Sequence, residues 1–559
     1  MVTVLTVAAN VVAWADGPQK DPAGVATGTA ANAVTASGPA FSADELKKLN
    51  DNAAGPATNG DLMKALDAIG QGHLAINMVW TLLTGFLVMF MQTGFAMVET
   101  GFCRGKNAAH VILMNFMIYP LGMLGFWIAG FAIMFGSLAA SKIGGPAALG
   151  GLPALNGSEL SIGGFGIMGL KGFFLNPDVY DVAIYAMFLF QMVFMDTTAT
   201  IPTGAMAERW RFSAFMIYGF FVSMIVYPIY GHMVWGGGGL AMLGQNFGLG
   251  HGAVDFAGSG VVHSVGGFLA LAGAIVLGPR LGKYTKDGKP VAIPGHHIPM
   301  ALVGTFILAF GWFGFNAGST LGAVGGGNLR ISVAATNTML ASAGGALSAI
   351  LYMFYRYGKY DASMAANGML AGLVAITAPC AFVTSWSSVV IGLISGVLVC
   401  VSVFFVERHG VDDPVGAVSV HGANGIWGLI SLGLFADGTY GAGWNGVGAS
   451  SYLGVAGKGV TGLFYGDPSQ LVAQLISAAV AMTWAFGTGY IFFKLQSRFM
   501  KLRPTAEEEM EGLDGPEIGV LAYPDFQTLD ATSPSSGRRV PSAASLVGAS
   551  PAEEKKVTA

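Results

Sequence analysis

Two stretches decide the fold: DFAGSGVVHSVGG at residues 255–267 and DPVGAVSVHGANG at residues 413–425. Each opens on an aspartate, places a histidine eight positions later (His263 or His421), and follows it with glycines. Each also heads an apolar run, and these runs are the fifth and tenth of a long series. An odd number of crossings separates them, so the two copies enter a bilayer from opposite sides. That is the trace of inverted five-helix repeats with a site near the midplane, where the halves meet.

Working outward, the apolar runs are predicted at 74–102, 109–136, 180–206, 211–235, 257–279, 298–320, 331–357, 364–384, 386–407, 415–436 and 468–497. Each can cross a ~30 Å hydrocarbon core at ~1.5 Å per residue. The expected fold is an all-α membrane protein of eleven transmembrane helices, two inverted five-helix repeats plus a final helix. Composition agrees, because only 10% of the 559 residues are charged, 53% are hydrophobic and the mean hydropathy is +0.60. A soluble domain carries about 25% charged residues. An ordinary soluble enzyme, a nucleic-acid binder and a disordered regulator are therefore excluded. The net charge of -4 calls for no polyanionic partner. Cys103, Cys380 and Cys400 show no C-x-x-C spacing, so they read as packing residues, with no metal or cofactor implied.

Fifteen Lys and Arg between Arg104 and Arg503 fall in loops on one face, against Lys142, Lys171, Arg330 and Lys458 on the other. The positive-inside rule then puts the N-terminus outside and the tail in the cytoplasm of an inner (plasma) membrane. Residues 1–15 read as a signal-like segment and 16–73 as an exported polar extension, with Ser42 and Glu45 spaced as a capping box. Residues 74–503 form the membrane domain. The tail, 504–559, is expected to be regulatory to about residue 527 and disordered beyond. The outer loops 137–179 and 437–467 read as irregular covers over the helix ends.

The ionisable residues inside the spans carry the functional reading, because such groups are costly there and face the protein interior or a water path. His263 and His421 suit proton transfer near neutral pH, with an unperturbed pKa of ~6.5; the plainer reading is a bond to a neighbouring helix. Asp255 and Asp413 read as helix caps. Phe190 and Phe194, four apart, share a face, and Phe315 stands in GWFGFNAGS; alone these are as well explained by packing as by a gate. Trp235 is an interface aromatic or a cation-π face, and Ser319, one turn beyond Phe315, a packing serine or a hydroxyl acceptor. Asp196 points away from the Phe190 and Phe194 face and is expected to make a buried hydrogen bond.

In their order GAMAERWRFSA, HMVWGGG, DFAGSGVVH, GWFGFNAGS and VHGANGIWG, with the tail pattern EGLDGPEIGVLAY, these residues resemble the ammonium transporter, methylammonium permease and Rhesus group, and its ammonium transporter branch most. The resemblance spans about residues 74–525. It implies a homotrimer with one narrow pore per subunit that moves ammonium or ammonia, and methylammonium in some members. By resemblance, Trp235, Phe194 and Ser319, with Phe190 nearby, form the outer recruitment site; Phe194 and Phe315 form the gate; His263 and His421 form the pore proton relay. Asp255 would support the outer site without entering the pore. A PII-type regulatory protein would bind the tail and the loop near His296 and His297. Departures are Gly416 and Ile518, where many relatives carry Asp and His, and Asp196, at a position often small or apolar. The alternative function is an ammonium sensor with slow or no transport. A haem held by the His pair is the rival from another class, and a Soret band would reveal it.

Overall fold

The computed structural model describes residues 58–324, 326–448 and 458–524. Among them ten helices are long and apolar enough to cross a membrane, and an eleventh, shorter apolar helix stands at Ala362–Ile376. The order begins with α1 at Asn59–Phe102 and α2 at Ala108–Gly125, the latter continuing through a π-turn into Phe131–Phe135. Next come α3 at Val182–Ala205 and α4 at Phe212–Phe221, which passes a second π-turn into Tyr227–Trp235. Then follow α5 at Val265–Leu277, α6 at Ile298–Asn316, α7 at Gly326–Tyr357, α8 at Ala362–Ile376, α9 at Ser385–Arg408, α10 at Asn424–Phe435 and α11 at Pro468–Phe499. A short α12, Ala506–Glu511, lies in the tail.

Three differences from the sequence reading have physical reasons. The first helix starts at Asn59, because Thr58 and Asp61 form a reciprocal capping box there; Ser42 and Glu45 lie outside the described residues. The eighth apolar run was expected to reach residue 384, but its helix ends at Ile376, and Pro379 shortly after cannot extend it. The loop expected to be irregular holds a two-stranded antiparallel hairpin, β1 at Glu159–Ile162 and β2 at Phe165–Gly169. Glu159 ties that hairpin to the buried His232 of α4 at 2.8 Å. The three cysteines are free and buried.

The two signature stretches fold alike. Asp255 accepts hydrogen bonds from the backbone N–H groups of Gly258, Ser259, Gly260 and Val261 at 2.8–3.0 Å. Asp413 accepts from Gly416 and Val418 at 3.0 and 2.7 Å. Three residues after each aspartate the chain turns through a left-handed glycine, Gly258 at φ 111° and Gly416 at φ 80°, a conformation costly for any side chain. A π-helical segment follows, Ser259–Ser264 or Val418–Ala423, and each holds its histidine before passing into an α-helix.

The segments cross reciprocally. A Cβ on Gly267 would strike the backbone of Gly422, and one on Gly425 would lie 2.8 Å from Ser264 N. Residue 264 thus faces 425 while 267 faces 422, the antiparallel, self-complementary contact of two copies about a local twofold. The crossing sets the two histidines side by side.

At the end of the bundle that carries the basic residues, buried charges are paired. Glu208 accepts from Arg280 and from Asn107 at 2.7 and 3.1 Å, and Asp412 accepts bidentately from Arg280 at 2.9 and 3.0 Å. The tail lies over this network. Asp514 accepts from Ala109 N and His110 N at 3.1 and 2.9 Å, and Glu517 accepts from Phe212 N at 2.7 Å, so two tail carboxylates cap the first turns of α2 and α4.

Candidate functional site

A file of aromatic and imidazole rings runs through the crossing. Trp235, at the last turn of α4, meets Phe194 edge to face with ring centroids 6.2 Å apart. Phe190 tilts against Phe194 at 4.6 Å, one helical turn away on α3. Phe194 stacks on Phe315 of α6 at 4.1 Å and 24°. Phe315 stacks on His263 at 5.4 Å, His263 on His421 at 5.2 Å, and Phe95 of α1 tilts over His421 at 6.0 Å. Residues far apart in sequence meet in this file because α1, α3, α6 and the two π-segments converge on the crossing.

The hydrogen bonds along the file are few. His263 Nδ1 and His421 Nδ1 are 3.1 Å apart, so one hydrogen lies between them. His263 is fully buried, and its Nε2 has no partner among the described residues. Ser319 donates its hydroxyl hydrogen to Phe315 O at 2.7 Å, which leaves only lone pairs for a ligand. Trp235 Nε1 donates to the backbone oxygen of Asp255 at 2.6 Å, so the residue that caps the π-segment also fixes the indole. The Asp255 carboxylate itself is occupied by its four N–H groups. The lining is apolar, with acceptors for N–H donors at Ser319 and at the imidazoles.

The sequence profile of the Ammonium Transporter Family matches residues 79–523. Ammonium transporter Amt2 of Archaeoglobus fulgidus is 48% identical over 464 residues, covering 83% of this chain and 91% of that one. The chain belongs to the ammonium transporter family. Ammonium transporter 1 member 3 of Solanum lycopersicum is 34% identical over 466 residues, covering 80% and 93% of the two chains. Among solved structures, a "Sensor Amt Protein" superposes with a TM-score of 0.66 at 36% identity, covering 80% of this chain and 98% of that one. Candida albicans Mep2 superposes with a TM-score of 0.63 at 27% identity, covering 78% and 87%.

In this family member several residues beyond the expected set join the file. Trp312 stacks on His263 at 5.2 Å and is held by Nε1 donating to Thr377 Oγ1 at 2.9 Å. It stands in the quoted GWFGFN run, three residues before Phe315, so the turn spacing was the available signal. Phe95 and Glu99, on α1, were not singled out, since a carboxylate near the end of an apolar run reads as a boundary residue. One expectation fails: Asp196 is buried, but its Oδ1 has no hydrogen-bond partner among the described residues. Its helix neighbours Met192, Val193 and Ala199 offer no donor side chain, and the hydroxyls of Thr197 and Thr200 donate instead to Val193 O and Asn115 Oδ1, each at 3.0 Å. Of the two loop histidines, His296 bonds Cys103 O and the tail's Tyr523 hydroxyl at 2.7 and 2.9 Å, while His297 caps α6 by accepting from Met300 N.

Proposed function

We propose that this protein carries ammonium across the plasma membrane by binding NH4+ at Trp235, Phe194, Phe190 and Ser319, deprotonating it, and passing NH3 between Phe194 and Phe315 and along the histidines. The observation that carries this reading is the continuous ring file with the two Nδ1 atoms in hydrogen-bond contact. Ammonium matches potassium in charge, so selection rests on its N–H donors, which Ser319 can accept, and on aromatic faces worth about 0.5–2 kcal/mol each. Beyond the stacked phenylalanines a bare cation would lose its hydration without a compensating charge. The neutral molecule crosses at lower cost.

The His pair offers the proton a separate route. With one hydrogen shared between the Nδ1 atoms, the neutral pair keeps its second hydrogen on an outer Nε2. A proton arriving at one Nε2 lets the shared hydrogen shift and another leave from the far ring. Asp255 and Asp413 hold the π-segments that present the rings. Charge distribution supports N-out, C-in orientation and eleven crossings, with α8 the short one. We assign a homotrimer and a PII-type partner at the tail and His296 from family resemblance.

The test is the current from reconstituted protein on a solid-supported membrane after an ammonium pulse. Wild type should give a transient that leak controls do not explain, and His263→Ala/His421→Ala should lose it. Ammonium binding with neither current nor ammonia flux in wild type would overturn transport in favour of a sensor.

A further inference from the structure

The ring file ends at a cavity on the far side of His421 from Trp235. It is lined by His421, Phe95, Glu99, Asn367 and Val415, among others, with about 20 Å³ of room for the centre of a water-sized molecule. That holds roughly one such molecule. Glu99 is only 2% exposed, and no arginine, lysine or histidine pairs with it among the described residues. Its protein partners are neutral: Asn115 Nδ2 at 2.7 Å from Oε2, and Thr203 Oγ1 at 2.8 and 3.0 Å from the two oxygens. Gly204 adds a weaker backbone N–H donor, and its lack of a side chain leaves open the space beside Oε1 that a Cβ would enter at 3.2 Å.

The donors fall short of what a carboxylate accepts. Thr203 has one hydrogen for Glu99 or for Thr200 O, and Asn115 divides two hydrogens between Glu99 and Val111 O. Ionised, Glu99 receives the Thr203 hydrogen. Protonated, it can donate to Thr203 Oγ1, which then turns its hydrogen to Thr200 O. The same heavy atoms serve both states, and an uncompensated buried carboxylate opposite a small cavity calls for a cation with N–H donors.

We propose that Glu99 forms a second, inner site for ammonium or methylammonium, at which ammonia leaving the histidines recovers its proton. This rests on the transport reading above. The Glu99 O–H bond breaks, the ammonia lone pair takes the proton, and a carboxylate–ammonium pair remains until the cation departs to the cytoplasm. The proton on Glu99 is the one given up at the outer site and handed on through His263 and His421, so one ammonium enters and one leaves.

The test pairs two measurements on full-length protein in liposomes: ammonium-pulse currents, and infrared difference spectra of the carboxyl bands on exchanging potassium chloride for ammonium chloride. In wild type, ammonium should convert a carboxylic acid band to carboxylate, and Glu99→Gln should abolish that change. The same variant should lower the current at least about tenfold while Trp235 fluorescence still titrates with wild-type ammonium affinity. Glu99→Asp should keep the infrared response and part of the current. A purely structural Glu99 predicts no ammonium-dependent carboxyl signal in wild type, and that result overturns the inner site even if Glu99→Gln fails to fold. Wild-type current with an unchanged Glu99→Gln spectrum overturns it too. A wild type without current rejects the transport reading instead, and the infrared arm still decides whether Glu99 binds the cation.

Discussion

Ser319 commits its hydrogen to Phe315 O, so in the proposed recruitment site it can serve as an acceptor only. Removing that acceptor deletes a charge-assisted hydrogen bond worth about 1.5–3 kcal/mol. Ser319→Ala should therefore weaken ammonium binding about ten- to hundredfold in a Trp235 fluorescence titration and leave the melting temperature in place; an unchanged affinity would remove Ser319 from the site. Gly267 is decided by shape alone. Its Cβ would enter the Gly422 backbone, which cannot rotate away as a side chain could, so Gly267→Ala should cost about 1–3 kcal/mol or more. Thermal unfolding of purified protein checks this, and wild-type stability would contradict the close crossing. At this scale the sequence was informative where a residue type is rare in its setting. Two histidines in apolar runs stood out, although 158 positions separate them. Trp312 and Glu99 did not, because neither is unusual for its position until the fold shows Trp312 stacked on His263 and Glu99 beside the cavity at His421.

Each π-segment depends on its aspartate. Asp255→Ala would leave four buried N–H groups without acceptors, each costing about 1–3 kcal/mol, whereas Asp413→Ala removes the bonds to Gly416 and Val418 and a weaker one to Ala417. Asp255→Ala should thus lower the yield and melting temperature of folded protein more than Asp413→Ala, and Asp255→Asn, which keeps one acceptor oxygen, should fall between wild type and Ala. A reversed order in a melting series would show that the caps are not what hold these segments. Helix existence was legible throughout from the length and hydropathy of the runs. The π-turns were not, since they change only which carbonyl each N–H reaches, although the glycine three residues after each aspartate marked where they begin. The end of α8 was hidden for a different reason: residues 377–383, TAPCAFV, stay apolar after the helix has stopped, and only Pro379 signals the break.

For the whole molecule, the basic end ties loops, helices and tail into one charged plate. Burial alone would raise the Asp412 carboxyl, but Arg209 and the bidentate Arg280 outweigh it and hold the group at about 2. Arg280→Met would strand Asp412 and Glu208 together, and breaking such a buried pair costs about 3–5 kcal/mol; thermal unfolding should show it. The tail adds a pH dependence. Burial pushes Glu517 up, but His110, the Phe212 N–H and Arg211 outweigh it and leave the group below the ordinary glutamate range. A depressed carboxyl stabilises the docked tail fully above its free value of about 4.3 and loses that contribution as pH falls through the lower docked value. Hydrogen exchange over residues 506–524 should therefore stay slow from about pH 7 to 5 and quicken below about pH 4, after correction for intrinsic rates. Glu517→Gln should quicken it already at neutral pH and flatten the acid step. An acid step that Glu517→Gln leaves unchanged would show that another group holds the tail.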